Sequence, residues 1–398
     1  MTSERKRIVI LSRYCLVDQY DLAAEYPGML KKLCRNHDVM HLSLKGTSRP
    51  RDIPEQLQVE ELPLRINRSS QWDILIKSML FYFCVPFFAS RIRKFRPHAI
   101  FIPEALPLFA LFAQWTTSAR VAMAFGDRHL HNRFGNTWWI RPLLRVAEFL
   151  EAYELSHIGG VFSRTQAAEE RIHSYGVPRK RIQIVYDVAH TSDYYPRDMS
   201  ALRHSLGFAD DDIVLFYHGI MHKGKGLEML LDWVGELHRD HPRIKLIMVG
   251  SGPELGALKQ RASRLDLGCD VYFTGWLKTV REVGDYCNAA DICIAMRKGD
   301  TSNDIVIPGA LIHCMACRKV VMAPRLSAIS EVIRHGENGF MFTPNDGQDF
   351  RRLVLELAAH RADWETFAER AYQDTQQRFS LEAAEKGYAE AIASYAED

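Results

Sequence analysis

An apolar run over residues 213–217 is followed by His218-Gly219-Ile220-Met221-His222-Lys223-Gly224-Lys225-Gly226 and then by a helical pattern. Two lysines therefore flank a helix N-terminus, whose free N–H groups attract anions. Glycines let the backbone come close to a ligand. A phosphate suits this chemistry, and so does a solvated basic turn with no ligand. Similar turns recur downstream: Gly250-Ser251-Gly252-Pro253-Glu254, then Thr274-Gly275-Trp276-Leu277. The polar loop Arg297-Lys298-Gly299-Asp300-Thr301-Ser302-Asn303-Asp304 has the size used for binding. Pro308-Gly309-Ala310-Leu311-Ile312-His313 then opens another helix, on which His313 reads equally as a ligand contact or as a packed polar residue.

These turns need a frame. Unalternating apolar strands are expected at 213–217, 244–249, 271–273, 292–296, 320–322 and 340–342, the pattern of a parallel sheet covered on both faces. Leu227, Leu230, Leu231, Val234 and Leu237 share one helical face, and Leu255, Leu258 and Leu265 mark the next helix. Long helices are expected over 353–371 and 381–395. The first half repeats the scheme, with strands at 7–12, 39–44, 99–102, 121–125, 160–162 and 182–186. Its helices are expected around Leu22–Leu33 and over 74–95, 108–115, 140–155 and 167–175, the second of these broken near Pro86. The polar stretch 190–203, interrupted by Pro196, reads as a linker. The fold class is thus α/β. The expected domains are 1–192, joined by a terminal helix at about 378–398, and 203–377. In such sheets ligands bind beyond the carboxyl ends of the strands, which is where the turns above fall.

The 398 residues suffice for two or three domains, and the 47% apolar and 25% charged content is ordinary for a globular protein. A net charge of +2 gives no polyelectrolyte argument for nucleic acid. The eight cysteines are scattered, mostly among apolar residues. Cys314 and Cys317 form a CxxC-like pair that no second pair accompanies, so the reading is no metal and a reducing compartment. The run 8–11 is too short for a signal-peptide core, and the longest apolar run, 79–89, falls far short of a bilayer span of roughly 20 residues. The expected location is cytoplasmic, or peripheral at the inner face of the membrane.

In order along the second half stand "FYHGIMHKGKGLEMLL", "LIMVGSGPELGAL", "VYFTGWL", "YCNAADICIAM", "PGALIHCMACRKVV" and "SEVIRHGENGFMF". Together they resemble the C-terminal domain of the GT-B glycosyltransferases of the family 4 type (glycosyl transferases group 1). More loosely, "IVILSR", "AIFIPEALP" and "GGVFSRTQAAEERIHSYGVPRKRIQIVYD" resemble the acceptor domain of that family. The resemblance implies a GT-B fold, with two Rossmann-like domains facing each other across a cleft and a C-terminal helix crossing back to the first. It also implies a retaining transferase of class EC 2.4 that needs neither a metal nor a cofactor and takes a nucleotide diphosphate-sugar as donor.

The resemblance further implies roles. Lys225 contacts the donor diphosphate, with His222, Lys223, Gly219 and Gly252 nearby. The backbone at Trp276 and Leu277 meets the base, and Gly309 and Ala310 approach the diphosphate or sugar. An arginine often precedes the lysine by five residues. Ile220 stands there, leaving Lys223 or Arg297 to supply that charge. Two glutamates eight positions apart usually hold the ribose, and those positions are Ile305 and His313. A neutral imidazole has one acceptor where a carboxylate takes both ribose hydroxyls. Asp300 or Asp304 is the candidate replacement. Arg318 and Val320 stand where a glycine and a proline are usual. In the first half the usual glycine-rich loop is absent, Gly28 being the only glycine of that stretch. Asp127 and His129 follow the strand where the family often has a histidine, so they either orient the acceptor or cap the next segment.

The acceptor is expected to be a carbohydrate, a lipid-linked molecule or a small molecule. Leu75, Ile76, Met79, Leu80, Phe81, Phe83 and Val85 precede Arg91, Arg93, Lys94 and Arg96, so residues 74–96 read either as a peripheral membrane contact or as a core helix with a basic end. Two other functions compete. One is a catalytically impaired relative that binds a nucleotide, a sugar or a protein partner. The other is a different GT-B enzyme, such as an epimerase or a phosphorylase.

Overall fold

The computed structural model describes residues 5–12, 14–16, 25–45, 50, 52–62, 84–103, 108–125, 141–186, 188–189, 191–268 and 270–397. The chain divides into two compact units, residues 1–186 with 381–398 and residues 187–380.

In the first unit, apolar runs form parallel strands because both faces of the sheet's centre are covered, and most side chains of the central strands are buried. The elements are β1 (Arg7–Leu11), α1 (Tyr26–Asn36), β2 (Asp38–Leu44), β3 (Gln58–Leu62), α2 (Val85–Phe95), β4 (Ala99–Ile102), α3 (Phe109–Thr116), β5 (Arg120–Ala124), α4 (Arg141–His157), β6 (Gly160–Ser163), α5 (Gln166–Ser174) and β7 (Ile182–Ile184). The sheet order is β3-β2-β1-β4-β5-β6-β7, all parallel. Strand β3 was not expected. It is a polar edge strand, QVEEL, paired on one side only and mostly half-buried, so it lacks the apolar signature of its neighbours. Pro86 occupies the first turn of α2, where its missing N–H is no loss. Residues 63–83, the remainder of the expected helix and of the membrane reading, lie outside the described residues, as do Leu22, Asp127 and His129.

The second unit contains α6 (Ser200–Ser205), β8 (Ile213–His218), α7 (Leu227–Asp240), β9 (Ile244–Val249), α8 (Leu255–Arg264), β10 (Val271–Gly275), α9 (Val280–Asn288), β11 (Ile292–Ile294), α10 (Gly309–Ala316), β12 (Val320–Pro324), α11 (Ser327–Ser330), β13 (Phe340–Phe342), α12 (Gly347–Ala359) and α13 (Trp364–Arg378). Its order is β10-β9-β8-β11-β12-β13, again all parallel. The stripe on α7 is buried as its spacing dictates, with Leu230, Leu231, Val234 and Leu237 fully enclosed. Thr279 and Glu282 close a capping box at the start of α9.

Two expectations fail here. The helix expected over 353–371 is two helices. The chain leaves α12 at His360, makes a short 3₁₀ turn at Arg361–Asp363 and restarts as α13, with the Trp364 indole N–H donating to the Leu357 carbonyl at 2.9 Å. Nor is 190–203 a loose linker. Arg197 donates to Asp285 at 2.6 Å, and Asn288 binds the Tyr195 carbonyl at 3.0 Å. Arg203, at the end of that stretch, is buried. Its guanidinium reaches both oxygens of Asp291 at 3.0 Å and the carbonyls of Ala209, Asp212 and Ala289. The polar character that suggested a loop belongs to residues that fasten this segment to the unit.

The last helix, α14 (Leu381–Glu397), packs in the first unit, as expected for the terminal helix. Tyr388 stacks on Phe162 with ring centroids 5.9 Å apart, and the Tyr395 hydroxyl donates to the Arg181 carbonyl at 2.9 Å. Gly28, inside α1, has its reason here. A Cβ at that position would stand 1.9 Å from the Glu385 carboxyl group, so a larger residue there would displace that side chain.

Candidate functional site

In the second unit β8 lies between β9 and β11, so the connections leave its two sides in opposite directions. Such a switch point opens a crevice at the strand ends. The residues after β8 and β11 meet there.

Beyond β8, Lys223–Lys225 form a 3₁₀ turn whose first residue is preceded by His222, and the His222 ring accepts from the Gly224 N–H at 3.2 Å. Gly226 then turns the chain into α7 with φ 74°, offering no side-chain cap to the helix. Burial, and after it the Lys225 charge, pulls His218 down to about 4. Burial, then Lys225 and Arg297, also lowers His222. Arg297 bears on Tyr217 as well, where it opposes the upward push of burial. Lys225, from the loop after β8, and Arg297, from the loop after β11, thus put positive charge on the same strand end. Arg297 is placed to supply the cation that Ile220, an exposed side chain, does not. Lys223 points outward on the same turn. Two buried polar atoms at this end, the Tyr217 hydroxyl and His218 Nε2, have no hydrogen-bond partner among the described residues. Buried polar groups are seldom left so.

The loop 297–304 folds over the lysine turn. Asn303, buried, donates to the Gly224 carbonyl at 3.2 Å and to Asp300 at 2.8 Å. Asp300 also accepts from the N–H groups of Ser302 and Asn303. Asp304 holds the N–H and the hydroxyl of Ser327, each at 2.8 Å. Both carboxylates proposed as substitutes for the missing glutamate are therefore occupied in shaping this loop. Gly252 is similarly constrained by its surroundings. Its φ is 157°, and a Cβ there would stand 2.3 Å from the Met221 carbonyl oxygen. It lets the β8 and β9 loops touch, with Met221 N–H donating to the Ser251 carbonyl at 2.9 Å. Gly219 ties to β9 through its N–H and the Val249 carbonyl.

Helix α10 begins at Gly309 and Ala310, both half-buried, behind Pro308, which provides no side-chain cap. One turn on, His313 faces Tyr194. The two rings are parallel within 4°, with centroids 4.1 Å apart. His218 completes the group at 5.5 Å from His313 and 5.8 Å from Tyr194. The structure thus joins Lys225, His222, Arg297, His218 and His313 to one strand end. Trp276, 73% exposed, and Leu277 follow β10 at the sheet edge beyond β9. Sequence reasoning missed Tyr194, which lay in the supposed linker, and assigned no role to His218 or Asn303. The position of His218 as the last residue of a buried strand was the only available signal. Arg318, where a glycine is usual, has φ 55°, the left-handed region that favours glycine. It is held there by ion pairs with Glu365 and with Glu369, the latter at 2.6 Å.

Comparison with known proteins agrees with this geometry. Residues 212–360 match the family model described as "Glycosyl transferases group 1". The chain is 24% identical over 210 residues to N-acetyl-alpha-D-glucosaminyl L-malate synthase of Bacillus anthracis, covering 53% of each protein. It is 24% identical over 270 residues to the lipopolysaccharide core biosynthesis glycosyltransferase LpsE of Rhizobium meliloti, covering 65% of this chain and 74% of that one. The chain spans about half the length of the first of these relatives. Among solved structures, HepE of Anabaena in complex with UDP has a TM-score of 0.72 at 18% identity, over 98% of this chain and 100% of that one. Sucrose-phosphate synthase of Thermosynechococcus elongatus has a TM-score of 0.72 at 15% identity, over 98% of this chain and 99% of that one. Two parallel Rossmann-like sheets, a terminal helix packed on the first, and whole-length similarity to solved structures place the chain in the GT-B fold, and its residues 212–360 match the glycosyl transferases group 1 model.

Proposed function

We propose that the protein is a retaining glycosyltransferase that takes a sugar from a nucleotide diphosphate donor and needs no metal for the transfer. The observation that carries this reading is the meeting of Lys225 and Arg297 at the β8–β11 switch point, within the residues that match the family. Two fixed cations at a strand end would stabilise the negative charge that grows on the leaving diphosphate, and they would do so without reorganising during the step. The uncapped N-terminus of α10 supports the same charge. The donor phosphate itself would help take the acceptor proton on the face from which the nucleotide leaves. The family match over residues 212–360 and the UDP found in HepE make uridine donors the first to try.

The test is release of nucleoside diphosphate from UDP-, GDP- and ADP-sugars by the purified chain in the presence of EDTA. Release is expected with one nucleotide class and is expected to fall by about 100-fold in Lys225→Ala, the size of effect typical of losing one preorganised charge contact. Abolition by EDTA overturns the metal-free step, and unchanged kinetics in Lys225→Ala removes that residue from the site.

The second reading, a catalytically impaired relative that still binds a nucleotide, is favoured by one observation. The ring that replaces the ribose-binding carboxylate is stacked on Tyr194. Nucleotide binding measured by thermal shift, with no turnover of any sugar donor, would select it.

For the acceptor, the described part of the basic segment is α2. There Arg91 pairs with Glu60 at 3.5 Å, while Arg93, which donates to the Thr116 carbonyl, Lys94 and Arg96 are all exposed. A lipid-linked acceptor at an anionic surface is the proposal consistent with them. No helix among the described residues is long and apolar enough to cross a membrane. Sedimentation with anionic vesicles at low salt tests the surface contact, and its absence would leave a soluble carbohydrate or small-molecule acceptor.

A further inference from the structure

The sequence offered Cys314 and Cys317 as a pair with no second pair in sight. The fold supplies it. Cys287 near the end of α9, Cys293 in β11 and Cys314 in α10 bring their sulfurs to within 4.8 Å of one another, all buried. The Cys287 and Cys293 sulfurs are 3.6 Å apart. Cys317, one turn beyond Cys314, is buried as well. Three thiols from three elements therefore converge on one point of the second unit, and Cys317, just past the end of α10, is the candidate for a fourth ligand.

Two features separate this cluster from cysteines that merely fill a core. The first is spacing. In a tetrahedral zinc site with Zn–S bonds of about 2.3 Å, the sulfurs stand about 3.8 Å apart. The Cys287–Cys293 separation of 3.6 Å is close to that value, and the Cys314 sulfur lies within 4.8 Å of both. The second feature is charge. Four thiolates around Zn²⁺ leave a net charge of −2, which needs compensation in a buried place. Lys319 acts electrostatically on Cys293 and Cys317, and Arg197 acts on Cys317. Lys319 is fixed there by the carbonyls of Asn288 and Ala290, each at 2.8 Å. Without a cation, burial pushes the Cys287 and Cys314 thiols up. Burial acts in the same direction on Cys293, but its hydrogen bonds with Cys287 and Cys314, together with Lys319, outweigh it and hold that thiol down.

We propose that Cys287, Cys293, Cys314 and Cys317 form a structural Zn²⁺ site that ties α9, β11 and α10 together. An all-sulfur set of four ligands selects a soft or borderline tetrahedral ion, and a closed shell leaves no open position for catalysis. The ligands lose their protons on binding, so loading releases protons and adds to stability. The site lies directly behind His313, because Cys314 is the next residue and Tyr194 faces both the sulfurs and the His313 ring. It would fix the C-terminal end of α10 without touching the substrate, and it stands independently of the transfer reaction proposed above.

The full chain, purified without metal additives and in reductant, is expected to carry one zinc per chain by inductively coupled plasma mass spectrometry. A thiol-specific mercurial should release the zinc, whereas brief EDTA treatment should not. Cobalt exchanged into the protein should show thiolate-to-cobalt charge transfer and the visible bands of a tetrahedral site. Cys293→Ser and Cys314→Ser should each weaken zinc retention, with Cys15→Ser, in the other unit, as the control that keeps it. Because a ligand variant can misfold, the wild-type cobalt spectrum decides by itself. Zinc in fewer than about one chain in ten, together with no tetrahedral cobalt spectrum on adding Co²⁺ to reduced protein, overturns the proposal. So does an intact mass that shows a disulfide within the cluster in protein never exposed to oxidant.

Discussion

The imidazole of His313 lies flat against the phenol ring of Tyr194, with centroids 4.1 Å apart and planes 4° from parallel. His313 lies one turn into α10, at the candidate site, and Tyr194 comes from the segment that enters the unit. The contact therefore couples the entry segment to the candidate site. Removing the Tyr194 ring in Tyr194→Ala is expected to lower stability by about 3 kcal/mol, the usual loss for a buried aromatic ring. It should also weaken nucleotide binding, because His313 loses its support. Tyr194→Phe keeps the ring and should retain both properties. Urea unfolding and nucleotide titration measure the two effects, and unchanged nucleotide affinity in Tyr194→Ala would separate the stack from donor binding.

Arg203 is the lock of the same segment. It spans Asp291 and three carbonyls and is itself buried. Arg203→Met would leave the Asp291 charge without its partner, at a cost of about 3 kcal/mol. Adding Asp291→Asn should recover part of that loss, because the unpaired charge is then gone. A double-mutant cycle by urea denaturation checks it, and additive losses would show that the pair is not coupled.

Arg318 bears a conformational penalty where a glycine would bear none, since its φ is 55°. A left-handed residue costs about 1 kcal/mol, whereas the ion pairs with Glu365 and Glu369 are partly exposed and contribute roughly 0–1 kcal/mol. Arg318→Gly is therefore expected to raise stability slightly, by about 0.5 kcal/mol. A lower melting temperature would mean that the ion pairs outweigh the strain.

Glu154 on α4 is buried, and its carboxylate accepts the N–H groups of Leu108 and Ala110 at 2.8 Å each, at the start of α3. Burial raises it to about 7, although those backbone hydrogen bonds act the other way. A carboxyl raised in the folded state binds a proton that the unfolded chain has already released. Its contribution is therefore full below the unfolded value and fades as pH rises toward 7. Glu154→Gln should be less stable than wild type near pH 5, and the gap should narrow by about 2–3 kcal/mol at most by pH 8. A gap that widens with pH would show that the backbone hydrogen bonds, not burial, govern this group.

How much of this was legible in the sequence follows from how local each signal is. The alternation of apolar strands and amphipathic helices fixed the α/β class, because strand and helix periods are set within a few residues. The lysine turn was legible for the same reason, since Lys223, Gly224, Lys225 and Gly226 act together within one loop. Order along the chain carried the family, and with it the return of α14 to the first unit. Other features failed locally. Strand β3 is a polar edge, the 190–203 segment is polar because it is ion-paired, and the 353–371 pattern conceals a turn.

Sequence alone could not place Arg297 beside Lys225, because that depends on β8 and β11 being neighbours, a matter of sheet order rather than of either loop. It could not stack Tyr194 on His313 or gather three cysteines from α9, β11 and α10 for the same reason. The sequence by itself determined which segments could bind a diphosphate. Tertiary packing decided which side chains face one another there, because contacts between distant segments depend on the crossing of strands and helices, and no local spacing encodes it.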